Sequence, residues 1–93
     1  MIKSFANKET AKIYNQVFSK RLPRDIQRLA LRKLIMLDNA CGIADLKIPP
    51  GNKLEALQGD RKGQYSIRVN DQYRICFNNE GNIFYNVEIV DYH

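Results

Sequence analysis

Two arginines six positions apart interrupt otherwise cleanly patterned strands, and they are the residues of this chain best placed to do chemistry. Tyr65-Ser66-Ile67-Arg68-Val69 and Tyr73-Arg74-Ile75-Cys76-Phe77 alternate apolar with other side chains, the two-residue period of half-buried strands. If Tyr65, Ile67 and Val69 share a face with Tyr73, Ile75 and Phe77, Val69 must pair with Tyr73 around the loop Asn70-Asp71-Gln72. That register sets Arg68 opposite Arg74 on the other face, where like charges repel. Such a pair suits an anion, and an RNA phosphate fits because guanidinium donors match phosphate oxygens bidentately. The competing role for Arg74 is an ion pair with Glu88, of a kind that contributes little when exposed.

RNA cleavage without a metal uses the substrate's own 2′-hydroxyl as nucleophile. It needs a base, cations for the charge developing on phosphorus, and an acid for the leaving 5′-oxygen. His93 is the only histidine and the one side chain whose ordinary pKa lies near neutrality, although by position alone it reads as a frayed terminal residue. Glu55 is an alternative base, or else an ion-pair partner of Lys53 or Arg61. Asp91 can orient His93 or neighbouring backbone, or simply end a strand on the helix side of the sheet. Tyr92 alternates onto the arginine face, where its ring can stack on an unpaired base. Arg61, flanked by Gly59 and Gly63, reads as a phosphate contact, with Lys53 nearby. Arg21, Arg24, Arg28 and Arg32 are spaced three, four and four apart. They make either a solvated helix face or a salt-sensitive contact with a polyanion.

The elements that must position these groups are two helices and a meander. Ile2 to Phe5 is a candidate short strand. Asn7 can cap a helix from Lys8 to Ser19 with Ile13, Tyr14, Val17 and Phe18 as its apolar stripe. Pro23 starts a second helix running to about Asp38, with Ile26, Leu29, Ala30, Leu34 and Leu37 facing the core. Tyr14, Phe18, Tyr65, Phe77 and Tyr85 are read as packing aromatics. Cys41 to Asn52 is a connector, and Lys53 to Leu57 a possible edge strand. Asn79-Glu80-Gly81 suits a hairpin loop, and the last strand, Ile83 to Tyr92, puts Ile83, Tyr85, Val87 and Ile89 on the core face. In that register Arg74 lies opposite Asn86. The expected class is α+β, with two antiparallel helices on one face of an antiparallel meander and a polar, cationic opposite face.

Ninety-three residues make one domain, 1–93. Fifteen Lys and Arg against ten acids give a net charge of +5, compatible with a polyanionic partner. Residues 1–38 hold nine of the basic residues and three of the acids, so the excess lies in the first half. Cys41 and Cys76 stand 35 positions apart without a CxxC, and with one histidine they argue against zinc and suit a reducing compartment. The longest aliphatic run, Leu34 to Leu37, is too short to span a bilayer, and the expected location is the cytoplasm.

Two segments carry a resemblance. Pro49-Pro50-Gly51-Asn52-Lys53-Leu54-Glu55 leads into Leu57-x-Gly59-x-Arg61-x-Gly63-x-x-Ser66-Ile67-Arg68-Val69-Asn70 and Gln72-x-Arg74-Ile75-x-Phe77, and the chain ends Val87-Glu88-Ile89-Val90-Asp91-Tyr92-His93. Together these resemble the HigB branch of the RelE/ParE toxins, the plasmid-maintenance killer family of type II toxin–antitoxin systems, over essentially the whole length. The resemblance implies a RelE-like fold and a metal-independent, cofactor-free endoribonuclease that cuts mRNA on the translating ribosome. It also implies a cognate HigA-type antitoxin with a helix-turn-helix domain, through which a hetero-oligomeric complex would bind DNA. By the same resemblance the functional arginine is Arg74 and the functional C-terminal residues are Asp91, Tyr92 and His93. Some HigB toxins carry a histidine and a lysine where this chain has Glu55 and Gln58, which leaves the base open between His93 and Glu55. The alternative on the same fold is a non-catalytic, ParE-like gyrase inhibitor.

Overall fold

A computed structural model describes residues 1–91; the expectations for Tyr92 and His93 fall outside the described residues. The chain runs through three helices, α1 (Lys8–Tyr14), α2 (Arg24–Asn39) and α3 (Ile43–Lys47), and then four strands. These are β1 (Glu55–Ala56), β2 (Tyr65–Arg68), β3 (Tyr73–Glu80) and β4 (Ile83–Asp91), forming one antiparallel sheet in sequence order. The initial segment adds itself beside β4 in parallel, with bridges Ile2 to Phe84 and Phe5 to Val87.

Helix α1 begins where expected, because the Asn7 side chain accepts from Thr10 N at 2.8 Å. It ends five residues earlier than expected. Gln16 turns into the left-handed region (φ 62°), and the amide of Val17 donates back to the Lys12 carbonyl, closing the helix. Val17 and Phe18 therefore leave the core and lie more than half exposed, with the Arg24 guanidinium over the Phe18 ring at 5.3 Å. Helix α2 buries Ile26, Ala30, Leu34 and Leu37, while Leu29 stays exposed. The connector holds a structured element, α3, whose Leu46 is fully buried.

The helices cover one sheet face. Ile26, Leu34 and Leu37 pack with Ile67, Ile75, Phe77, Phe84 and Val87. At roughly 1.5–3 kcal/mol for each large apolar side chain removed from water, this layer fixes which sheet face points inward. A buried hydrogen bond from Ile89 N to Thr10 Oγ1, 3.0 Å, ties α1 to β4.

The arginine hairpin has the expected register: Tyr65 faces Phe77, Ile67 faces Ile75, and Arg68 faces Arg74. The last hairpin differs. Its loop is the two residues Gly81-Asn82 between paired Glu80 and Ile83, with Gly81 at φ 58°. A bulge then places Asn86 and Val87 against Phe77, with Asn86 at φ 53°. The extra residue reverses the side-chain alternation along β4. Phe84, not Ile83 or Tyr85, enters the core ahead of Val87 and Ile89. The shorter loop advances the pairing by three positions and the bulge by one more, so that Val90, not Asn86, lies opposite Arg74 and Glu88 lies opposite Cys76.

Asp38 anchors the first strand, accepting Ile2 N at 2.8 Å and Tyr14 Oη at 2.8 Å. The Ile2 amide foremost, then the Tyr14 hydroxyl, hold its carboxyl below the ordinary aspartate value. A carboxyl whose pKa is lower folded than unfolded adds stability above its unfolded pKa and loses it as pH falls through the folded one. Urea midpoints measured below about pH 4 should therefore fall with acidity, and Asp38→Asn should flatten that dependence.

Candidate functional site

The face away from the helices carries Glu55, Ser66, Arg68, Arg74, Cys76 and Glu88, which the paired register places side by side across four strands. Arg74 is its buried centre, 7% exposed. Nε donates to Ser66 Oγ at 2.8 Å, and one terminal nitrogen donates to the Ser66 carbonyl at 3.2 Å and to the Lys53 carbonyl. The other terminal nitrogen stands 3.4 Å from Glu55 Oε1. Among the described residues Glu55, not Glu88, is thus the carboxylate beside Arg74.

Glu55 side-chain exposure of 50% leaves its carboxylate open to solvent at the rim. Lys53 contributes its backbone: it follows the 3-10 turn Pro50–Asn52 in the left-handed region (φ 42°), and its carbonyl accepts from Arg74. A non-glycine residue in that conformation costs on the order of 1 kcal/mol, offset here by a charge-assisted hydrogen bond.

Glu88 instead pairs with Arg61 at 3.2 Å, and Arg61 also donates to Gln64 Oε1 at 3.0 Å. Gly63 (φ 96°) allows the chain to turn back so that Arg61 reaches across to β4. The Cys76 thiol on this face is fully buried, and burial raises its pKa, which suits a packing role over a reactive one.

Arg68 does not converge on Arg74. Its guanidinium bonds Asp71 in the following turn, and the hydrogen bond from Arg68 holds the Asp71 carboxyl below its usual value. The backbones of the two arginines are directly paired, yet one side chain folds inward and the other lies at the rim. Asp91 faces Tyr73 at the end of β4 and accepts from Gln72 Nε2 at 3.1 Å, on the helix-side alternation. Arg28 lines a groove of about 280 Å³ between α1 and α2 with Val17 and Phe18; Arg32 is exposed on α2.

Ser66 was missed as a site residue. Its signal was in the sequence: it lies two positions before Arg68 on the same alternating face.

Chemically, the arrangement is a fixed guanidinium beside an accessible carboxylate, on a sheet face rimmed by Arg61 and Arg68. The fold that carries it is shared with a chain of the YoeB–YefM complex from Staphylococcus aureus, at a TM-score of 0.62 and 16% identity. That likeness covers 100% of this chain and 98% of the other. Residues 3–93 match the RelE-like toxin of the type II toxin–antitoxin system HigB, and the chain belongs to this HigB-like toxin family. It is 34% identical to Endoribonuclease HigB of Proteus vulgaris over 94 aligned positions, covering 100% of both chains. Toxin HigB-1 of Vibrio cholerae serotype O1 is 52% identical over 56 residues, 60% of this chain and 59% of that relative's length.

Proposed function

We propose that this chain is the toxin of a type II toxin–antitoxin pair and an endoribonuclease that cuts mRNA on the ribosome. The observation that carries the reading is the buried Arg74 guanidinium held at 3.4 Å from an accessible Glu55 carboxylate. Family membership and full-length similarity to a protein named an endoribonuclease support it.

In the proposed reaction the 2′-hydroxyl gives its proton to Glu55 and its oxygen bonds to phosphorus. The bond from phosphorus to the 5′-oxygen breaks, and His93 returns a proton to that oxygen. The products are a 2′,3′-cyclic phosphate and a 5′-hydroxyl. Arg74 and Arg61 offset the charge gathering on the phosphoryl oxygens, a cationic role that preorganised donors fill with little rearrangement. Tyr92 stacks on the base, and Asp91 steadies the C-terminal residues. No step requires a metal ion. Assigning Glu55 as the base leaves the acid's role to His93.

The partner is an antitoxin. We propose a HigA-type protein whose helix-turn-helix domain carries the complex to DNA, and a cytoplasmic site of action. Arg28 and Arg32 supply exposed cations for ribosomal RNA.

Primer extension on a translated message after brief induction tests the enzyme reading. Discrete cuts ending in cyclic phosphate are expected, and deletion of His93 should slow them by about 10²-fold or more. Intact transcripts with damaged DNA would replace the reading with gyrase inhibition.

A further inference from the structure

One cation near this face is built in differently from the others. Lys33 projects from the flank of α2, half-buried, and its ammonium donates to Asn52 Oδ1 at 2.6 Å. Asn52 is itself fully buried, and its amide nitrogen donates to the Leu46 carbonyl at 3.1 Å, which fixes the oxygen toward the lysine. Arg74 has Glu55, Arg61 has Glu88 and Arg68 has Asp71, but among the described residues no carboxylate forms an ion pair with Lys33. Its charged neighbours are Arg68 and Arg32.

A buried amide spent on holding an ammonium against two guanidinium groups raises the energy of the free protein. Burial first, and then those two arginines, push the lysine's pKa below its usual value, in keeping with an unmet demand for negative charge. The carboxylate on Arg68 is a weak competitor, because the Asp71 side chain is 99% exposed on the hairpin turn.

We propose that Lys33 and Arg68 form a second phosphate subsite, holding the backbone of a nucleotide next to the one cleaved at Arg74. This rests on the ribonuclease reading and extends it. In this subsite the RNA leaving Arg74 passes over the paired Arg68, whose charge faces the Lys33 ammonium from α2. The contact is to backbone, so it favours single-stranded RNA without regard to base.

The test compares purified wild type with Lys33→Gln, which keeps a donor for Asn52 and removes the charge. Lys47→Gln, at an exposed position on α3, is the control. The probes are two single-stranded 2′-O-methyl RNA oligonucleotides of different sequence, followed by fluorescence anisotropy across a salt series. Lys33→Gln should weaken binding of both about fivefold to tenfold and lower the slope of log affinity against log salt by about 0.7, while keeping or raising the melting temperature.

Equal affinity and slope in wild type and Lys33→Gln would overturn the subsite. So would a loss matched by Lys47→Gln, or unchanged RNA binding with weakened antitoxin capture, which would assign the pair to protein carboxylates. Primer extension separates the two levels of inference. Wild-type cleavage with an unaffected Lys33→Gln removes the subsite alone; absence of wild-type cleavage removes the ribonuclease reading, and the subsite with it.

Discussion

Arg74→Ala is expected to abolish mRNA cleavage and also to loosen the whole domain. The side chain is buried and holds the Ser66 hydroxyl, the Ser66 carbonyl and the Lys53 carbonyl. Truncation leaves those groups short of a donor and opens a cavity. Each orphaned buried acceptor costs about 1–3 kcal/mol and such costs do not add fully, so a net loss of about 2–4 kcal/mol is expected. In a domain of this length that lowers the melting temperature by roughly 10–20 °C. Cleavage falls by about 10²–10³-fold from the lost cation alone. Arg74→Lys separates the two effects, since one ammonium cannot serve both carbonyls and a bidentate phosphate. Thermal melts and primer extension on both variants check this. Full cutting by a well-folded Arg74→Ala would remove Arg74 from the site.

Glu55→Gln should behave in the opposite way, losing rate but not stability. The carboxylate lies at a half-exposed rim position in a two-residue edge strand, and an amide of the same shape still accepts from Arg74. The melting temperature should stay within about 2 °C of wild type. A glutamine cannot take the 2′-hydroxyl proton, so the rate should drop by about 10²–10⁴-fold. The same variant decides between the two candidate bases: a near wild-type rate would return that role to His93.

The contrast between these residues marks how far the sequence could be read. The arginine hairpin was legible because two local facts, strand alternation and a three-residue loop, fix its register without reference to the rest of the chain. The sequence reads Arg61 between its glycines as a phosphate contact, and its partner Glu88, on a strand distant in sequence, was not legible there. What Arg74 bonds to was not legible. Its partners include a main-chain carbonyl exposed by an unusual angle at Lys53, a residue type that gives no warning of it. The last strand misled because its loop is two residues rather than three and one alternation was run through the bulge at Asn86, so Val87 and Ile89 keep the expected face while Ile83 and Tyr85 do not. Lys33 escaped notice because it sits between the apolar stripe and the arginine stripe of α2. Only the packing of Asn52 beneath it distinguishes it from any other helix lysine.

The bridges from Ile2 to Phe84 and from Phe5 to Val87 carry a consequence for biosynthesis. They join positions separated by nearly the full length of the polypeptide, and the bulged Asn86 amide completes them by bonding Ser4 Oγ at 3.0 Å. Contacts that distant form late and slowly, after the large entropic penalty of loop closure. During translation the opening segment lacks its strand partner until β4 has left the exit tunnel. A nascent copy therefore stays incompletely folded until β4 emerges.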